Sequence, residues 1–138
     1  MKYNEAALEL VESMKIIFLG PIKNAAELLK GEIPVLCHIS EKQEITPTEL
    51  ARKFSLTTAR IATILNHLED KSLIVRIHDN QDRRKVYIHP TKAGLELANI
   101  KMTELHNQLS ELLQALGEED AKEYLRLTQK VADHLKKH

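Results

Sequence analysis

Thr46-Pro47-Thr48-Glu49 is a helix start written out in full. The threonine hydroxyl can cap the helix, and proline suits the first helical position, where its missing N–H would have no partner anyway. Glutamate three residues after the cap completes a capping box. The helix it opens, over 47–53, has to be short. A few residues on, Thr57 can cap a second helix, "TARIATILNHLEDKS", residues 58–72. The apolar stripe of that helix is Ile61, Ile64, Leu65 and Leu68, which recur at the spacing of one helical face. The outer face carries Thr58, Arg60, Thr63, Asn66 and His67. Two short helices joined by a three-residue turn make a helix-turn-helix.

Past this motif the period changes from helix to alternation. A strand is expected over 73–78 and a second over 84–89, with Pro90 stopping it. Between them lies "DNQDRRK", residues 79–85, with no apolar side chain and three adjacent cations, Arg83, Arg84 and Lys85. A helix-turn-helix followed directly by a β-hairpin is the winged-helix arrangement. The fold class is therefore mainly α with a small β-hairpin.

The flanking segments are helical. Ala7, Val11, Met14 and Phe18, with Leu10 and Ile17 beside them, place a helix over 3–19. Gly20-Pro21 should kink or break it, residues 22–30 continue in helix-friendly composition, and Gly31 ends that piece. A short helix over 32–42 follows, with Pro34 in its first turn and an apolar face of Ile33, Leu36, Cys37 and Ser40. After Pro90, Thr91 caps a long helix. Its Leu95, Ala98, Met102, Leu105, Leu109, Leu112 and Leu116 step alternately by three and four, a coiled-coil-like seam. Gly117 ends it. The last helix begins with Glu118, Glu119 and Asp120 and ends with Lys136 and Lys137, as the helix dipole favours. A seam this long is covered more easily by a second copy across a two-fold axis than by the chain's own two end helices, so a homodimer is expected.

Charge is unevenly spread. The total is zero, yet residues 46–92 hold nine Lys/Arg against five Asp/Glu, and the rest of the chain holds 11 against 15. A basic middle between acidic ends suits a phosphate-facing segment carried on a different kind of scaffold. Other function classes lack their residues. There is no glycine-rich phosphate loop, no H-E-x-x-H and no G-x-S-x-G, so no enzyme is expected. The single Cys37 excludes an internal disulfide and a multi-cysteine zinc site. On an apolar face it reads as an inert buried thiol, against the alternative of a redox sensor. The seven histidines include no H-x₃-H pair on one helix, so no metal or cofactor is expected. His78 and His89 should face each other, or solvent, across the hairpin. No apolar run reaches the ~18–20 residues of a membrane span, and no signal peptide is legible, so a cytoplasmic protein without a membrane partner follows. With 138 residues and 43% hydrophobic content, the chain reads as a single domain, 1–138.

Residues 33–94 resemble the MarR-type transcriptional regulators. The resemblance runs from "IPVL" through "TPTELARKFSLTTARIATILNHLEDKSLIVR" to "DNQDRRKVYIHPTKAG". Its sharpest part is the D-x-x-D-R-R of residues 79–84, the apolar alternation after it and the threonine–glycine pair Thr91 and Gly94. The resemblance implies a DNA-binding lobe over 32–92, with 1–30 and 93–138 as dimerisation helices. It implies a homodimeric repressor on a pseudo-palindromic operator of double-stranded DNA. A small effector of unstated identity would release it, from a cleft between the dimer helices and the DNA-binding lobe. Arg84 would enter a minor groove, Asp82 would orient it, and Arg83 and Lys85 would meet phosphates. The chain departs from the family pattern at Pro90, where leucine is usual, at Thr63 for arginine, at Asn66-His67 for Asp-Arg, and at Ser72 for glycine.

General geometry supports the same reading. A helix of ~10–12 Å diameter fits the ~12 Å major groove of B-DNA. Thr57, Thr58, Arg60, Thr63, Asn66 and His67 are then candidates for base or phosphate contact. A narrow minor groove concentrates negative potential and attracts an inserted arginine. The alternative is a winged helix used for protein–protein contact, which would more often keep apolar residues on its exposed helix face.

Overall fold

The computed structural model describes residues 1–19 and 31–137. The kink expected at Gly20-Pro21 and the helical reading of residues 22–30 lie outside them. The described elements are α1 (Tyr3–Leu19), α2 (Glu32–Lys42), α3 (Pro47–Phe54), α4 (Thr58–Asp70), β1 (Ile74–His78), β2 (Val86–Pro90), α5 (Lys92–Leu116) and α6 (Glu118–Lys136). The backbone divides into two units, residues 1–103 and 104–138.

In the first unit the core lies among α2, α3, α4 and the hairpin. Ile61, Ile64, Leu65 and Leu68, the whole expected stripe of α4, are buried. They meet Val35, Leu36 and Ile39 of α2, Leu50 of α3, Ile74 of β1 and Ile88 of β2 in one cluster. The buried face of α2 is thus Val35, Leu36 and Ile39, and not the expected Ile33, Leu36, Cys37 and Ser40. Both sets keep helical spacing, and the packing of α4 and β2 against α2 selects between them. Cys37 lies at the edge of the cluster, half-buried, its Sγ 4.0 Å from the Ala98 carbonyl.

The caps appear as the local sequence requires. Thr46 Oγ1 accepts from the Glu49 N–H at 3.2 Å, and Thr57 Oγ1 from the Arg60 N–H at 3.1 Å. The α3–α4 turn is closed by Ser55 at φ 52°, beside which the Leu56 N–H reaches the Ala51 carbonyl. At its far end α4 stops in a Schellman arrangement. The Leu73 N–H reaches back to the Leu68 carbonyl and the Ser72 N–H to the Glu69 carbonyl, both at 2.9 Å. Because Leu73 spends its N–H there, β1 begins one residue later than expected.

β1 and β2 pair antiparallel, Ile74 opposite Pro90 and His78 opposite Val86. The second strand starts at Val86 and not at Arg84, because the tip folds on itself. Asp82 Oδ1 accepts from the Arg84 N–H, and the Asp82 carbonyl from the Lys85 N–H. Pro90 is the last residue of its strand. On the other side of β2, Ile45 exchanges both backbone bonds with Ile88, an isolated one-residue bridge that no alternation announced.

The start of α5 is fastened to the turn after α4. Thr91 Oγ1 donates to the Ser72 carbonyl at 2.7 Å and accepts from the Gly94 N–H at 3.0 Å. A Cβ on Gly94 would stand 2.0 Å from the Leu73 carbonyl oxygen, so only glycine lets the two backbones approach this closely. In the second unit, α6 follows Gly117, whose φ of 83° turns the chain between the two helices. Ion pairs at helical spacing, such as Glu123 with Arg126, stitch its surface.

Candidate nucleic-acid interface

The outer face of α4 carries every side chain the sequence placed there, all of them exposed: Thr57, Thr58, Arg60, Thr63, Asn66 and His67. They are not equivalent. Thr57 is committed to its cap, and the Thr63 hydroxyl donates to the Ala59 carbonyl at 3.2 Å, which leaves its oxygen and methyl for a partner. Asn66 and His67 are engaged by neighbouring elements. Asn66 Oδ1 accepts from Arg76 Nη2 of β1 at 3.0 Å, while Arg76 Nη1 donates to Glu69 Oε1 at 3.1 Å. His67 Nδ1 lies 2.6 Å from Glu32 Oε1 at the start of α2, and Lys71 Nζ donates to Glu32 Oε2 at 3.0 Å. Burial raises the Glu32 pKa, but the hydrogen bonds of Lys71 and His67 outweigh it and hold the carboxyl below its usual range. It is therefore ionised, and His67 donates to it. Sequence reasoning missed Glu32, Glu69, Lys71 and Arg76. Only the turn at Ser72, which folds β1 back onto α4, brings Arg76 within reach of both Asn66 and Glu69.

The wing tip is organised by two aspartates. Asp79 Oδ1 accepts from the Gln81 N–H, and Asp82 Oδ1 takes both the N–H and the Nε of Arg84, at 3.1 and 3.2 Å. The Arg84 side chain is nonetheless 92% exposed, a cation held at its root and free at its end. The contact that the resemblance assigned to Asp82 is thus present. Arg83 and Lys85 are exposed beside it, and the Arg83 carbonyl lies 3.1 Å from His78 Nδ1. An open depression lined by Thr46–Glu49 and Arg84–Tyr87 joins the wing to the start of α3. His78 and His89 do not face each other: the register sets His78 against Val86 and His89 against Val75. His89 turns to Glu44, 3.5 Å away, and His78 stays exposed. Burial pushes the Cys37 thiol pKa up, away from the reactive thiolate. Among the described residues, no three His, Cys, Asp or Glu side chains gather as a metal would require. No described helix is long and apolar enough to cross a membrane.

A capped helix-turn-helix with a cationic two-stranded wing, its open helix face polar, defines a winged-helix protein. The family model described as "MarR family" matches residues 30–86, the stretch that forms this lobe. Over that stretch the chain is similar to the MarR family. Among curated proteins it is 35% identical over 81 residues to the uncharacterized HTH-type transcriptional regulator YpoP of Bacillus subtilis (strain 168), covering 56% of this chain and 57% of that protein. The chain thus spans little more than half the length of that relative. Among solved structures, Streptococcus pneumoniae FabT in complex with DNA shares the fold with a TM-score of 0.81 at 20% identity, covering 99% of each chain. The Multiple Antibiotic Resistance Repressor, MarR, matches with a TM-score of 0.63 at 26% identity, over 72% of this chain and 73% of that one.

Proposed function

We propose that this chain is a sequence-specific DNA-binding transcriptional regulator, a homodimeric repressor on a pseudo-palindromic operator, released by a small effector. One observation carries the reading: Asp82 grips the root of Arg84 and leaves the guanidinium exposed, on a hairpin that follows a capped helix-turn-helix. An arginine held in this way loses little further freedom when it enters a narrow minor groove. Arg83 and Lys85 act on phosphates, and Thr58, Arg60 and Thr63 meet the major groove, with Thr57 closing the helix end that faces it. Asn66 and His67 complete the surface from positions set by Arg76 and Glu32. The polar face of α4 favours DNA over a protein partner. The pneumococcal FabT complex supports double-stranded DNA as the ligand class.

The dimer is built from residues 1–30 and 93–138. Apolar side chains on the described part of these segments support it: Leu10, Ile16, Met102, Leu109, Leu125 and Val131 are all exposed in the single chain. No catalysis, cofactor or membrane enters the reading, and the protein acts in the cytoplasm. Arg84→Ala is the test. It should weaken binding to DNA selected from a random pool by about tenfold, the value of one well-placed charged contact, and leave the dimer folded. Unchanged affinity in a gel-shift or anisotropy titration removes the wing from the mechanism.

A further inference from the structure

Arg76 looks like part of the hairpin's scaffold, yet its fork joins two side chains of α4. Nη1 binds Glu69 Oε1 at 3.1 Å and Nη2 binds the Asn66 oxygen at 3.0 Å. A guanidinium has donors only, so the atom of Asn66 that faces it has to be the carbonyl oxygen and not the amide nitrogen. That settles which way round the Asn66 amide sits. Glu69 holds the guanidinium from the other side, and the Arg76 side chain keeps only 27% of its surface exposed. The arrangement is therefore fastened at both ends, while Asn66 itself stays on the open face of α4.

A free asparagine pairs with adenine through both ends of its amide, donating to N7 and accepting from the N6 amino group. Here the accepting end is next to a full positive charge. An adenine amino hydrogen brought to the same oxygen would meet the guanidinium. The oxygen keeps a second lone pair, but a hydrogen brought to it would lie beside the guanidinium, so the stronger offer of Asn66 is its NH₂, with two donated hydrogens. The base edges that match donors are the N7 and O6 of guanine.

We propose that Arg76 is a positioning residue that biases Asn66 to read through its amide NH₂, so that the operator favours guanine over adenine where Asn66 meets it. The inference rests on the DNA-binding reading above. Arg76 touches no base itself. It acts by fixing the amide, with Glu69 as its counterweight.

The test is selection of bound DNA from a random pool by four full-length proteins: wild type, Asn66→Ala, Arg76→Met and Arg76→Lys. Asn66→Ala identifies the base pair concerned, the one whose preference it abolishes. At that pair the wild type should prefer guanine over adenine by roughly tenfold, the scale of one good side-chain contact. Arg76→Met should release the amide and bring adenine up to parity. Arg76→Lys keeps the charge and most of the stem but cannot span Asn66 and Glu69 together, so it should shift the preference in the same direction. Its thermal melting should match wild type, which separates altered reading from damaged folding. A wild-type preference for adenine at that pair overturns the proposal. So does an Arg76→Lys protein that melts like wild type and selects the same bases, or an Asn66→Ala protein whose motif is unchanged. If wild type selects no motif at all, the DNA-binding reading falls, and this inference with it.

Discussion

Ser72 occupies the left-handed position that follows α4, with φ at 60°. A residue there carries its N–H to the Glu69 carbonyl, and the next one carries its own to Leu68. Serine adopts this backbone only at a cost of about 1 kcal/mol relative to glycine, whose missing Cβ removes the clash. The side chain is exposed, so little packing is lost by deleting it. Ser72→Gly should therefore raise stability by about 0.5–1 kcal/mol, read as a higher midpoint in chemical denaturation, with no change in DNA affinity. A lower midpoint would mean that glycine's extra freedom in the unfolded chain outweighs the relieved strain. At the same scale Asn66 and His67 show why residue type alone did not settle role. Both are polar and stand on the exposed face of α4, yet each is bound by a residue distant in sequence, Arg76 and Glu32.

Elements behave differently because local chemistry largely sets them. The starts of α3 and α4 follow from Thr46 and Thr57, whose hydroxyls need no distant partner to cap the next turn. The stripe Ile61, Ile64, Leu65 and Leu68 was readable because a helix has only one way to bury those four together. Joints between elements were harder to read. Thr91 and Gly94 were legible as a cap and a family signature, but their purpose is to bring α5 against the Ser72 turn. Gly94→Ala puts a methyl group 2.0 Å from the Leu73 carbonyl, a backbone atom that cannot swing aside. It should cost about 2 kcal/mol or more and lower Tm by roughly 5 °C or more in a calorimetric scan. An unchanged Tm would show that the α5 start shifts freely relative to the lobe.

At the scale of the whole molecule, the balance of exposed surface matters most. The described helices at both ends bury little of their apolar area in the single chain. Leu8 and Ile16 of α1 are 70% and 71% exposed, and Leu135 of α6 is 66%. Along α5 the seam residues Leu95, Met102, Leu109 and Leu116 are exposed, whereas Ala98 is buried against the lobe. A second copy covering this surface would remove the cost of leaving it in water. Leu109→Lys should then yield monomers or aggregates by light scattering where wild type should run as a dimer. A stable, folded dimer of that variant would sink the assignment of the seam. On the proposed function, the basic charge concentrated in 46–92 should make DNA affinity fall steeply with salt, whichever bases are read.

The sequence by itself determined the elements, most of their caps and the order helix-turn-helix then hairpin, because each depends on residues within one or two turns of one another. It also determined that the wing tip would be cationic and polar, since nothing apolar lies in 79–85 to bury. Tertiary structure alone decided which face of α2 is core, because Val35 and Ile39 compete there with Ile33 and Cys37 at equal spacing. It alone decided that Ile45 bridges to Ile88 of β2 and that His78 and His89 part company, since register is a property of two strands together. And it alone decided how Asn66 presents its amide. That depends on a guanidinium ten residues away, brought close only when Ser72 turns β1 back along α4.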